Sequence, residues 1–148
     1  MLALVAFLGN VFDLVDGMVA RKFNKVTAFG GVLDSTMDRV ADFLIITSFA
    51  FGGLAHWEIV MPLLLFAFLT SYIRSRGELA AKNAITFAIG MIERPERLVI
   101  IFLALSSYVI FPHVSLFGLN SIEGIFCVLT VLSAITVVQR IVFAYRKL

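Results

Sequence analysis

The sequence is poor in charge and in cysteine for a chain of 148 residues. Only 15% of its residues are charged and 61% are hydrophobic, whereas soluble domains average about 25% charged and about 45–50% apolar residues. A mean hydropathy of +1.02 excludes both a soluble globular domain and a disordered chain. Cys127 is the single cysteine, so no intramolecular disulfide can form. Lipid is therefore the expected solvent for much of the surface.

Apolar stretches fill most of the chain, and its length accommodates about five membrane-crossing helices of roughly 20 residues. The candidate spans are residues 1–20, 28–53, 56–73, 98–110 and 122–144. Residues 78–95 are less regular and are predicted to contain the end of the third span and an interfacial stretch. Gly52, Gly53 and Pro112 are candidate breaks between spans. The prediction is an all-α, polytopic transmembrane bundle that forms one domain over residues 1–148.

Basic residues are absent from every second link between the predicted spans. The links at 53–57 and 112–121 contain no Lys or Arg. The other links and the C-terminus carry Arg21, Lys22, Lys25, Arg74, Arg76, Lys82, Arg94, Arg97, Arg140, Arg146 and Lys147. The positive-inside rule predicts that these regions face the cytoplasm. Met1 then starts outside without a basic leader region, so it does not begin a signal peptide, and we expect a further helix upstream.

Five acids lie in or at the edge of the first two predicted spans: Asp13, Asp16, Asp34, Asp38 and Asp42. Each costs about 2.5–3.5 kcal/mol at the centre of a membrane helix, so something must neutralise them. Asp13 and Asp16 share one helix face, and Asp34, Asp38 and Asp42 share another. Two such helices joined by a basic loop would bring the carboxylates together as a hard oxygen site for Mg²⁺, Mn²⁺ or Ca²⁺. Asp42 is predicted as a partner of Arg39 or a polar neighbour rather than a ligand.

The same residues resemble the CDP-alcohol phosphotransferase family. The chain contains the whole pattern D-x2-D-G-x2-A-R-x8-G-x3-D-x3-D between Asp13 and Asp38, with all eight specified residues at the family spacing. The resemblance covers essentially the whole chain. It implies six transmembrane helices with the pattern starting in the second, so the first family helix is missing here.

The resemblance implies a transferase that passes a phosphatidyl-type group from a CDP-linked lipid to an alcohol and releases CMP. It implies two Mg²⁺ ions, with Mn²⁺ as a substitute, held by Asp13, Asp16, Asp34 and Asp38. Asp38 is also the implied general base. The implied CDP-lipid site contains Gly17, Arg21, Thr27 and Gly30. The resemblance also implies a homodimer. Nucleic acid is not an expected partner.

The acceptor is expected to be an alcohol phosphate, because several arginines accompany the acids. Arg74, Arg94 and Arg140 are the predicted phosphate clamp, with Arg76 and Arg97 as weaker candidates. This set resembles the branch of phosphatidylinositol-phosphate and archaetidylinositol-phosphate synthases, and so does the run from Leu33 to Arg39. Relatives that use glycerol phosphate more often have Pro after the third Asp and Lys after the fourth.

Other interpretations stay open from sequence alone. The acceptor could be glycerol 3-phosphate, with the same chemistry. The three arginines could serve only as topology determinants at the membrane surface, and Thr27 could be a helix N-cap, with or without a nucleotide contact. An ion- or proton-coupled carrier would also place acids in the membrane. A carrier should have polar residues at both depths of the membrane, however, and the fourth and fifth spans have none that continue toward the outer face. A truncated, inactive fragment of the same enzyme is a third possibility.

Overall fold

The computed structural model describes residues 27–82, 84–110, 115–116 and 118–148. Four helices make up most of this part of the chain: α1 (Ala28–Phe51), α2 (Trp57–Ala80), α3 (Arg94–Ile110) and α4 (Ser121–Lys147). The strands β1 (Ser115–Leu116) and β2 (Leu119–Asn120) form a small antiparallel pair before α4. The all-α prediction is confirmed. The predicted first span, with Asp13, Asp16, Gly17 and Arg21, lies outside the described residues.

Local signals at the helix ends explain where the helices begin and stop. Thr27 caps α1, since its side-chain oxygen accepts the backbone N–H of Gly30 at 3.0 Å. After α1 the chain turns at Gly52 and Gly53, and Gly53 has a φ of +68° that favours glycine. Asn120 and Glu123 form a reciprocal capping box at the start of α4.

Helix α2 continues to Ala80, seven residues past Ile73, so the less regular stretch from residue 78 contains the end of the third span, as predicted. The predicted start of the fourth span was wrong. Helix α3 begins at Arg94 rather than at Leu98. Arg74, Arg76 and Arg94 therefore lie on helices rather than in a loop. An Arg74–Glu78 pair one turn apart supports the extended end of α2.

The bundle has an apolar end and a polar end. Its buried core lies where α1 stops and where α2 and α4 begin, with Ile46, Phe49, Leu63 and Phe126 all nearly inaccessible to solvent. The rings of Phe49 and Phe126 meet edge to face at 5.0 Å between centroids. Helices α2 and α4 are long and apolar enough to cross a membrane. The opposite end of the bundle, where α2 stops and α4 approaches its C-terminus, holds the charged side chains described next.

Candidate active site

A polar cavity of about 480 Å³ lies at the charged end of the bundle. All four described helices contribute to its wall, together with the residue that precedes α3. Its charged lining residues are Asp38, Arg39, Arg74, Glu78, Glu93, Arg94 and Arg140. The predicted general base and the three arginines predicted to hold the acceptor phosphate thus line the same cavity, although they are far apart in sequence.

Arg140 is held in this cavity by three hydrogen bonds. Its side chain is buried, and Nε donates to the carbonyl of Ile89 at 2.7 Å. Nη1 donates to the carbonyl of Thr70 at 2.6 Å, and Nη2 donates to Glu93 at 2.7 Å. These three hydrogen bonds join α4 to α2 and to the segment before α3. They fix the guanidinium in one orientation.

Arg74 faces Arg140 across the carboxylate of Glu93. Its Nη1 lies 3.2 Å from Glu93 Oε2, and its Nε lies 3.2 Å from Glu78 Oε1. Glu78 in turn accepts the backbone N–H of Phe87 at 3.1 Å. Arg74 is therefore positioned by two acids, one on its own helix and one across the cavity.

Arg94 links the cavity to a buried ion-pair network on α1 and α3. It lies 2.7 Å from Asp38 and 3.1 Å from Asp42. Asp42 also accepts from Arg97 at 2.6 Å, and both of these side chains are almost fully buried. The partners of Asp42 are thus Arg94 and Arg97 rather than Arg39, which was one of the two predicted alternatives. The structure places Arg97 in this buried network rather than on the cavity wall, and Arg76 is exposed away from it.

The described half of the predicted metal and nucleotide site lies on α1. Asp34 and Asp38 lie one turn apart on the same face; Asp34 is exposed, while Asp38 reaches the cavity. Thr27 acts as the N-cap, and a Cβ on Gly30 would come within 3.0 Å of its hydroxyl oxygen. No group of three potential metal ligands occurs among the described residues, which include only two of the four predicted aspartates. Carboxylate oxygens are suitable ligands for a hard divalent ion.

An irregular segment, residues 84–93, is pinned to α2 and α4 and contributes Glu93 to the cavity wall. Thr136 accepts the backbone N–H groups of Met91 and Ile92 at 3.1 and 3.2 Å. The ring of Phe87 is buried against Gly77, where a Cβ would come within 2.4 Å of it. Glu93 ends this segment and enters the cavity next to Arg94.

Sequence reasoning missed Glu78, Glu93 and the role of Asp42. The available signal was the clustering of acids with basic residues in Glu93-Arg94-Pro95-Glu96-Arg97. The arginines there were interpreted as phosphate ligands, and the acids beside them were left unassigned. Each of these three acids is bonded to an arginine in the folded protein.

The chain is similar to known proteins in both sequence and structure. Residues 1–139 match the family described as CDP-alcohol phosphatidyltransferase. The archaetidylinositol phosphate synthase of Pyrococcus horikoshii is 40% identical over 145 residues, which cover 98% of this chain and 70% of that protein. The phosphatidylinositol phosphate synthase of Cutibacterium acnes is 34% identical and covers 90% of this chain and 67% of its own length.

Solved structures of the Mycobacterium tuberculosis phosphatidylinositol phosphate synthase are also similar. The form with CDP-DAG bound has a TM-score of 0.78 and 30% identity, covering 97% of this chain and 72% of that one. The form in complex with manganese and citrate has a TM-score of 0.76 and the same identity, covering 97% and 68%.

Proposed function

The chain belongs to the CDP-alcohol phosphatidyltransferase family, and we propose that it transfers the phosphatidyl-type group of a CDP-linked lipid to inositol phosphate. It is a membrane-embedded transferase of phospholipid synthesis that uses a divalent metal. This family excludes the carrier interpretation. The acceptor, the ions and the residue roles below are our proposal.

The observation that carries the acceptor assignment is the convergence of three arginines and a carboxylate on one cavity. Arg74, Arg94 and Arg140 come from three different helices and meet Asp38 around a space of about 480 Å³. Guanidinium groups favour phosphate because they present several donors in a planar fork. Topology determinants at a membrane surface would have no reason to face a common cavity, whereas a phosphate monoester needs fixed cations of this kind.

Asp38 is the proposed base of the reaction. It would accept the proton of the acceptor hydroxyl, whose oxygen forms the new bond to the lipid-bearing phosphorus while the bond to CMP breaks. Arg94 would orient that carboxylate, because the two groups lie 2.7 Å apart. Arg74 and Arg140 would hold the acceptor phosphate, so that the hydroxyl is presented at a set distance.

The proposed metal ligands are Asp13, Asp16, Asp34 and Asp38, and the proposed ion is Mg²⁺, two per site, with Mn²⁺ as a substitute. When bound, such ions neutralise the pyrophosphate and stabilise the departing CMP. Gly17, Arg21, Thr27 and Gly30 would contact the CDP-lipid. We propose a multi-pass homodimer in the cell membrane, with its active site facing the cytoplasm. The clustering of cavity arginines at one end of the bundle supports that orientation.

The decisive experiment measures CMP release from CDP-diacylglycerol and from CDP-archaeol in detergent, with Mg²⁺ or with EDTA. Inositol phosphate, glycerol 3-phosphate, free inositol and serine are compared as acceptors. We expect release with inositol phosphate that EDTA abolishes, and none with free inositol, which lacks the group that the arginines would bind. Release with glycerol 3-phosphate instead would keep the chemistry and overturn the acceptor assignment.

A further inference from the structure

We propose that the carboxylate of Glu93 occupies the position between Arg74 and Arg140 that the acceptor phosphate takes on binding. Glu93 would thus be an internal placeholder that the phosphate must displace, and it would set the affinity and selectivity of the subsite. This inference rests on the proposed function, because it concerns the acceptor subsite of that reaction.

The contacts of Glu93 use the donors that a phosphate would need. Nε and Nη1 of Arg140 are already bonded to backbone carbonyls, at 2.7 and 2.6 Å, so Nη2 is the nitrogen that reaches Glu93. On the other side, Nη1 of Arg74 lies 3.2 and 3.4 Å from the two oxygens of Glu93. A single carboxylate thus bridges two arginines from different helices, as one phosphate group would.

The side chain of Glu93 can leave this place without unfolding its surroundings. Its backbone is held separately, because its N–H donates to Glu96 Oε2 at 3.0 Å and its carbonyl accepts the N–H of Arg97 at 3.2 Å. The Glu93 side chain is 31% exposed, whereas that of Arg140 is 3% exposed. The acid is thus the more accessible partner of the pair, and a rotation about its side-chain bonds would free the arginine.

The charge balance of the cavity supports displacement rather than addition. Its lining holds four arginines and three carboxylates, so a phosphate monoester with close to two negative charges would be poorly matched while Glu93 stays. When the Glu93 side chain leaves, the net positive charge of the cavity lining doubles, and it then matches the negative charge of the phosphate. Weak anions that lack the charge to displace Glu93 would be excluded.

The test compares wild-type protein with Glu93→Gln, which keeps the shape of the side chain but removes its charge. Binding of inorganic phosphate is measured by titration calorimetry in detergent, and CMP release gives the KM for inositol phosphate. We expect the variant to bind phosphate about three- to tenfold more tightly, because phosphate no longer has to displace a carboxylate from Arg74 and Arg140. The KM should fall by a similar factor with little change in kcat.

Two further variants make the result interpretable. Glu58→Gln removes the same charge at the start of α2, where it is exposed and outside the cavity lining, so phosphate affinity should stay unchanged. Glu93→Asp keeps the charge on a shorter arm and should give an intermediate affinity. Weaker or unchanged phosphate binding in Glu93→Gln would overturn the proposal, because Glu93 would then order the arginines rather than compete for them.

The calorimetric arm separates this inference from the proposed function. If no acceptor supports CMP release by the wild-type protein, the transferase assignment with inositol phosphate fails. The order of phosphate affinities among the variants still decides the role of Glu93, since that measurement needs no turnover.

Discussion

Asp38 belongs at once to a sequence pattern and to an ion-pair network. It is the last residue of the aspartate pattern on α1, and it lies 2.7 Å from Arg94 on α3. The pairing offsets part of the cost of placing a carboxylate in a protein that is largely apolar. It also means that any substitution of Asp38 acts on Arg94, which keeps Asp42 as a second partner at 3.1 Å.

Substitution of Asp38 by Asn should abolish turnover and leave CDP-lipid binding largely intact. The amide has the size of the carboxylate but cannot accept the hydroxyl proton, and loss of a general base typically costs about 10²–10⁴-fold in rate. The two readouts are CMP release and retention of CDP-lipid on the immobilised protein. Near-normal turnover would remove Asp38 from the role of base.

Substitution of Asp42 by Asn should destabilise the protein by about 3 kcal/mol, because it leaves Arg97 buried without a charged partner. Both side chains are nearly inaccessible, and their ion pair measures 2.6 Å. Thermal unfolding in detergent checks this. The matched control is Asp34→Asn on the same helix, where the carboxylate is exposed and no stability change is expected. Equal melting temperatures for both variants would contradict the structural role of Asp42.

Among the elements, the irregular segment 84–93 shows why helix boundaries were hard to predict. The apolar stretch ends near Ile73, but the helix continues through Arg74 and Glu78, because these residues pair with each other and with residues on other elements. The segment itself lacks a regular repeat. Its position depends on Thr136 and Arg140, which lie about 50 residues later in the chain.

Substitution of Gly77 by Ala should loosen this segment. A Cβ would lie within 2.4 Å of the Phe87 ring, and overpacking of this kind costs about 1–3 kcal/mol. We expect a lower melting temperature and faster hydrogen exchange at the amide of Phe87, which Glu78 now protects. Gly124→Ala is the control, because open space surrounds its Cβ position and alanine favours the helix. Unchanged exchange in Gly77→Ala would show that the packing is looser than described.

On the scale of the whole molecule, the two ends of the bundle carry different kinds of polar contact. The cavity end holds many charged groups, while the apolar end is closed by His56 and Glu123. The backbone N–H of His56 donates to Glu123 at 3.1 Å, and its ring Nδ1 also pairs with that carboxylate. This contact joins the starts of α2 and α4 at a site remote from the cavity.

The contact with Glu123 raises the pKa of His56 above its ordinary value, chiefly through the hydrogen bond to the carboxylate. Its stabilising contribution is therefore fully present below about pH 6.5 and is lost as the pH rises through the raised pKa. We expect His56→Gln to lower the melting temperature near pH 6 and to have little effect near pH 9. The melting temperatures of both proteins across this range provide the check. A difference in melting temperature that does not depend on pH would show that the His56 ring stabilises the fold without its charge.

The sequence by itself determined that this protein is embedded in lipid, that it is helical and that it carries the family pattern, and it identified four of the charged residues that line the cavity: Asp38, Arg74, Arg94 and Arg140. Those conclusions depend on composition and on short spacings, which a helix converts directly into a common face. Thr27 as a helix cap and the break at Gly52 and Gly53 follow from equally local chemistry.

Only the tertiary structure decided which charges meet. Asp42 pairs with Arg97, 55 residues away, and Arg140 reaches Thr70, 70 residues away. No local spacing encodes such pairs, because they depend on how the described helices pack and on which carboxylates must be neutralised inside an apolar bundle. For the same reason Glu93, an acid beside a basic motif, acquires its place in the site only once α2, α3 and α4 have come together.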